Sequence, residues 1–399
     1  MPLRHGRPYL AIPGPSVMPD RVLQAMQQPA PNIYHGSLVD MVDGMIPDLK
    51  AVARTSGNVA IYIANGHGAW EAALANTCGQ GDRILVLATG SFGHGWADMA
   101  RRMGVEVEVL EFGKRAPVDV AQVEERLRAD TAHTFKAVLT VQVDTSTSVR
   151  NDVAGIRQAI DAAKHPALYM VDCIASLGCD EFLMDAWGVD VMVAGCQKGL
   201  MTPPGLGFVY FNEKAAEVRG AMTQVSNYWD WVPRAAPKEF YQYFGGTAPT
   251  HHLFGLREAL NMLVHEEGVT AVWARHATLA QTIWAALEVW GQDGPMEMNI
   301  ADPANRAHAV TAVRIGAPHG TALRDWLTQT AGVTLGIGLG MAESDDTAWH
   351  GFFRIGHMGH VNAHMVMGVL GTMEAGLIAL GIPHGKGALE AAAHVIAQG

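Results

Sequence analysis

Short apolar runs rich in Val, Ile and Leu alternate with stretches of helical periodicity from about residue 58 to 210. The runs predict strands over 59–64, 83–88, 105–110, 136–141, 167–171, 191–194 and 207–211. Between several of them, apolar residues recur every three or four positions, which predicts helices over 69–77, 95–103, 120–128 and 153–163. Strand–helix alternation implies a mostly parallel sheet covered on both faces, an α/β fold. In such sheets ligands bind beyond the carboxyl ends of the strands.

The pattern changes after residue 211. Residues 212–250 are less regular and rich in Trp, Tyr, Pro and Gly, and long helical patterns follow over 251–264 and 270–290. A strand at 310–315, a helix at 322–330, a strand at 352–355 and two C-terminal helices complete a smaller α+β unit. The expected division is an N-terminal arm at 1–15, a large α/β domain at 16–265 and a small domain at 266–399. A chain of 399 residues is long enough for such a pair of cores.

Composition narrows the field. Apolar content of 49% and charged content of 17% describe a globular protein, and the net charge of −11 offers no basic field for nucleic acid or an anionic membrane. Cys78, Cys173, Cys179 and Cys196 form no C-x-x-C pair, which predicts reduced structural thiols. The N-terminus lacks the apolar core of a signal peptide. The apolar stretch 361–382 is interrupted by Asn362, His364, Glu374 and glycines, and reads as a packed helix pair rather than a membrane span. A cytoplasmic protein is expected.

The strongest chemical signal is Lys198, just past the strand predicted at 191–194 and followed by a Pro/Gly turn. The strand at 167–171 ends in Asp172. An amine and a carboxylate on neighbouring strand ends suit pyridoxal phosphate, the amine condensing with the aldehyde and the carboxylate keeping the pyridine nitrogen protonated. Other features follow strand ends in turn. Gly66-His67-Gly68 opens a helix, where glycines and free N–H groups suit a single phosphate; the alternative is a plain βα turn. Phe92 offers a ring for stacking on a flat heterocycle, or else fills the core. Thr145, in a hydroxyl-rich run, could reach a phenolate or cap a local turn. Arg354 lies within an apolar strand, where its fork would bind a substrate carboxylate or an internal one.

That order of features, with Pro13-Gly-Pro-Ser16, Trp70-Glu-Ala-Ala-Leu74, Lys164-His-Pro-Ala-Leu168, Asp185-Ala-Trp-Gly-Val-Asp190, Gln197-Lys-Gly199, Pro203-Pro-Gly-Leu206 and Arg354-Ile-Gly-His357, resembles the class V, fold-type I pyridoxal-phosphate aminotransferases. The likeness is to their alanine/serine–glyoxylate group and covers nearly the whole chain. The resemblance implies that Lys198 carries the cofactor and Asp172 pairs with its ring nitrogen. It also implies that Gly66, His67, Gly68 and Gln197 hold the phosphate, Phe92 stacks on the ring, Thr145 reaches the 3-oxygen and Arg354 binds the substrate α-carboxylate. A homodimer is implied in which the family's Tyr-x-x-Thr reaches the neighbouring site. Here that segment reads Phe244-Gly-Gly-Thr247, keeping Thr247 and leaving Tyr241 or Tyr243 to replace the tyrosine. Two further departures bear on substrate choice. The family's Thr-Gly-Val is Thr147-Ser148-Val149, and its His-Arg-Ser-Pro is His35-Gly36-Ser37-Leu38.

The expected reaction is transamination between a serine- or alanine-type amino acid and a 2-oxo acid, glyoxylate first. Alternatives are a pyridoxamine–pyruvate or ureidoglycine–glyoxylate aminotransferase, a desulfurase or other lyase, and a non-catalytic binding protein. No cysteine follows Cys196, which disfavours a desulfurase. No H-E-x-x-H or G-x-S-x-G occurs, so neither a metal site nor a serine hydrolase is expected.

Overall fold

The computed structural model describes residues 3–399; the first two residues of the expected arm lie outside the described residues. Strand β1 (Tyr9–Ala11) comes from that arm, and β2 (Asn58–Ala64), β3 (Arg83–Ala88), β4 (Glu106–Glu111) and β5 (Phe135–Val141) follow. A two-stranded ribbon, β6 (Val143–Asp144) and β7 (Val149–Arg150), precedes β8 (Leu168–Asp172), β9 (Val191–Gly195) and β10 (Gly205–Phe211). The seven-stranded sheet has the order β2-β10-β9-β8-β5-β3-β4. Only β10 runs against its neighbours, so the sheet is mostly parallel as expected. Strands β8 and β9 are buried at every residue, which is why they read as unbroken apolar runs: helices cover both faces.

The second sheet, ordered β1-β13-β14-β12-β11, contains β11 (Glu297–Met298), β12 (Val310–Arg314), β13 (Val333–Ile337) and β14 (Phe352–Gly356). Three of its strands, β1, β11 and β13, were not legible in the sequence, β11 being only two residues long. Strand β1 is only three residues long, and β13 contains Gly336, packed under Pro13 and Arg354. The helix Ser37–Ala53 was missed as well, because Pro47 lies inside it.

The apolar stretch 361–382 forms one helix, Ala363–Ala379, rather than the expected pair; the second C-terminal helix is Ala388–Gln398. Of its glycines, Gly376 is fixed by packing, because a side chain there would collide with Leu323 and Trp326 of the neighbouring element. No helix among the described residues is long and apolar enough to cross a membrane. All four cysteines are free and buried.

A buried cation organises the irregular stretch after β10. Arg234 is fully buried and donates to the carbonyls of Ile61 (2.8 Å), Tyr228 (2.6 Å) and Tyr243 (3.2 Å), with its guanidinium 4.3 Å from the Tyr62 ring centroid. Carbonyls and a ring face thus take the place of a carboxylate partner. This clamp fixes the turn Phe240–Phe244 and the exposed Tyr241 and Thr247 on or next to it.

Candidate active site

The parallel strands converge on a cavity of about 220 Å3 beyond their carboxyl ends. It is lined by Gly66, His67, Phe92, Thr145, Asp172, Gln197 and Lys198 from the expected set, and by Asn65 and Trp70 besides. A larger groove of about 630 Å3 beside the N-terminal arm has no lysine in its lining.

Asp172 closes β8 and is almost fully buried. Its carboxylate accepts from the backbone N–H of Ile174 (2.6 Å) and from Trp70 Nε1 (2.8 Å). Both donors are neutral, so burial wins and pushes the carboxyl up to about 7. Trp70 is held in turn by stacking on Trp96, with centroids 5.9 Å apart and planes within 12°. Gly66 and Trp70 are four residues apart on one helix face, a spacing that was available as a signal for Trp70.

Lys198 sits in the turn between β9 and β10, three residues beyond the last residue of β9. Its Nζ donates to the carbonyl of Pro13, and Ser16 Oγ donates to the Lys198 carbonyl at 2.7 Å. Gly14 is required there, because any side chain would overlap the lysine. Burial, reinforced by the Arg354 charge, brings the amine down to about 8. Among the described residues, Gln197 Oε1 is buried without a hydrogen-bond partner.

The glycine turn differs in detail from expectation. Asn65 caps the helix Gly66–Thr77, its side chain accepting from the N–H groups of His67 (3.1 Å) and Gly68 (3.3 Å). Gly68 does not line the cavity; a Cβ there would press on Ala64 at 2.6 Å and on Trp229. That glycine therefore serves helix–strand packing. The polar residue ahead of the Gly-x-Gly was the missed signal.

Phe92 belongs to the first turn of the helix Ser91–Arg102, which starts earlier than its apolar periodicity indicated. The cap comes from far along the chain: buried Asp144 accepts from Phe92 N (3.0 Å), Gly93 N (3.4 Å), Ser146 N (3.0 Å) and Ser146 Oγ (2.5 Å). Gly90 is bare of side chain to admit it. Sequence reasoning overlooked Asp144, although an acid inside an apolar strand end is costly and needs such partners.

Arg354 lies near the cavity without lining it. Among the described residues it forms no ion pair, so the internal salt bridge considered as an alternative is absent. Its Nε donates to the Ile337 carbonyl (2.7 Å) and its Nη1 to the Thr145 carbonyl (2.8 Å). Burial lowers the guanidinium to about 10. Thr247 is exposed and outside the cavity of its own chain. Tyr243 donates its hydroxyl to Asp43 (2.9 Å), whereas Tyr241 is 56% exposed.

The Aminotransferase class-V family model matches residues 50–364. The serine–glyoxylate aminotransferase of Methylorubrum extorquens is 35% identical, the match covering 98% of this chain and 96% of the relative. An L-aspartate–glyoxylate aminotransferase of Paracoccus denitrificans is 34% identical, over 96% of this chain and 94% of the relative. Among solved structures, the ureidoglycine–glyoxylate aminotransferase of Bacillus subtilis superposes with a TM-score of 0.88 at 26% identity, covering 99% of both chains. The architecture is therefore the fold-type I arrangement expected from the sequence.

Proposed function

This chain belongs to the class-V aminotransferase family, and we propose on that footing that it uses pyridoxal 5'-phosphate to move an amino group from a small amino acid of the serine or alanine type to glyoxylate. The observation that carries this reading is the buried Asp172 sharing one cavity with the half-buried Lys198. The cavity's residues fit the cofactor. Asp172 has only neutral hydrogen-bond donors, and a protonated ring nitrogen would add a charged one.

When bound, pyridoxal phosphate supplies an electron-withdrawing ring that stabilises negative charge at the substrate Cα. The protein does the rest. Asp172, oriented by Trp70 and the Ile174 amide, keeps the ring nitrogen protonated. Lys198, whose amine burial brings down to about 8, would hold the cofactor through its aldehyde with loss of water, and when free would serve as the base that moves the substrate Cα proton. Phe92 covers one ring face, Thr145 reaches the 3-oxygen, and Gln197 with the helix start at Gly66–Gly68 receives the phosphate. Asn65 must then share or yield the N–H groups of His67 and Gly68. Arg354, fixed through Nε and Nη1 on carbonyls, presents the remaining Nη2 to the substrate α-carboxylate.

The active form in this reading is a cytoplasmic homodimer in which Thr247 and Tyr241 of one chain complete the phosphate site of the other. Four buried free thiols support the reducing compartment. The two sheets support a division at 1–15, 16–265 and 266–399. A second reading, with ureidoglycine as donor, is favoured by the superposition on the Bacillus subtilis enzyme.

The test is a donor panel of serine, alanine, aspartate, ureidoglycine and pyridoxamine against glyoxylate and pyruvate, with visible absorbance recorded after cofactor addition. Serine or alanine with glyoxylate should be the best pair. A protein that stays colourless, or equal colour and turnover in Lys198→Ala, would falsify the reading.

A further inference from the structure

The turn Thr145–Ser148 joins β6 to β7 and is bound on its far side by the second sheet. Arg354 Nη1 donates to the Thr145 carbonyl, Asn299 Nδ2 to the Thr147 carbonyl (2.9 Å) and Ala307 N to the Ser148 carbonyl (3.2 Å). One contact comes from a side chain of the turn itself: buried Ser148 Oγ accepts from the Ala312 N–H at 3.1 Å. Ala312 stands in β12 directly opposite Arg354 in β14.

That bond completes an unfinished ladder. Strand β11 stops at Met298, and Asn299 N still reaches the Ala312 carbonyl at 2.9 Å. Both polar main-chain groups of Ala312 therefore face away from β14, as alternation in an antiparallel pair requires. With β11 ended, the buried Ala312 N–H has no strand acceptor, and the Ser148 hydroxyl takes that place. Ser148 adopts φ +61°, where glycine would be free of strain and serine is not. A glycine, which the family resemblance leads one to expect here, would relax the backbone and leave the buried N–H without its partner.

Resting on the transaminase reading, we propose that Ser148 is a positioning residue for Arg354. Its hydroxyl ties the strand facing Arg354 to the turn whose Thr145 carbonyl holds the guanidinium, and so sets where the α-carboxylate binds relative to Lys198. Amino donor and oxo acid both present that carboxylate, so both depend on the tie. Proton movement at Lys198 does not.

The test compares Ser148→Ala and Ser148→Gly. Both remove the hydroxyl, but only the glycine variant accepts the left-handed conformation freely, so it keeps the test usable should the alanine variant fail to fold. In both, KM for serine and for glyoxylate should rise about tenfold, the scale of one lost buried hydrogen bond. The kcat and the cofactor's visible spectrum should stay at wild-type values. Amide exchange of residues 307–315 in cofactor-free protein should speed up, a readout that needs no turnover. Unchanged exchange defeats the tie, and faster exchange with unchanged KM defeats the positioning role. Wild-type protein without transaminase activity would instead count against the proposed function, leaving exchange to decide the tie.

Discussion

Trp70→Phe tests the electrostatics of the site most directly, because it removes one hydrogen-bond donor and keeps an aromatic ring against Trp96. Asp172 has two hydrogen bonds, so the substitution halves its donors. A bond to a charged acceptor contributes about 1.5–3 kcal/mol, equivalent to about 1–2 pH units for the buried carboxyl. The carboxyl, already raised from 3.8 to about 7, should therefore titrate near 8 or 9 in the variant. Since the folded value lies above the unfolded one, protonated Asp172 favours folding, and that contribution is lost as pH rises through the folded value. Full ionisation costs about 4 kcal/mol in the wild type and about 6 in the variant. Urea unfolding of cofactor-free protein should thus show a small, packing-related deficit for Trp70→Phe at pH 5, growing by about 2 kcal/mol at high pH. Lys198 titrates in both proteins and largely cancels in the difference. A deficit equal at pH 5 and at high pH would mean that Trp70 only fills space, and the account of Asp172 would fail.

Three further outcomes follow from the same geometry. Arg354→Lys should raise KM for donor and acceptor together by about 100-fold, because an ammonium cannot bind two carbonyls and a carboxylate in one plane; a change confined to kcat would contradict the assigned role. The rate of cofactor capture should climb as pH rises toward about 8 and level off above it, since only the unprotonated Lys198 amine condenses; stopped-flow absorbance across that range decides it, and a flat profile refutes it. Thr247→Ala combined with Tyr241→Phe should weaken cofactor affinity about tenfold, and mixed dimers carrying Lys198→Ala on the other chain should show which subunit is served. Affinity unaffected in every combination would remove Thr247 and Tyr241 from the phosphate site.

The central strands of the parallel sheet were legible because they are buried on both faces and so are apolar throughout, whereas the edge strand β4 alternates Glu with apolar residues; β3 matches its expected bounds, and β8 and β9 lie within one residue of theirs. Strand β13 and the helix Ser37–Ala53 were not, since Gly336 and Pro47 carry local signals against the elements that hold them. At the site, Lys198 and Asp172 stood out as polar residues ending apolar runs. Asp144 and Trp70 did not, because an acid that caps a helix some fifty residues upstream has no local signature, and neither does an indole that donates across the cavity.

By itself the chain's pattern determined the α/β class, the order of chemical groups along successive strand ends and the cofactor they suit. Periodicity and strand-end position are local properties that a linear sequence records. The tertiary structure decided which groups face one another and in what charge state. It set Asp172 against neutral donors, Lys198 against a carbonyl, Arg354 against two more carbonyls, and Ser148 as the acceptor where β11 runs out. Those are effects of burial and of contacts between distant residues. They arise only once the chain has closed.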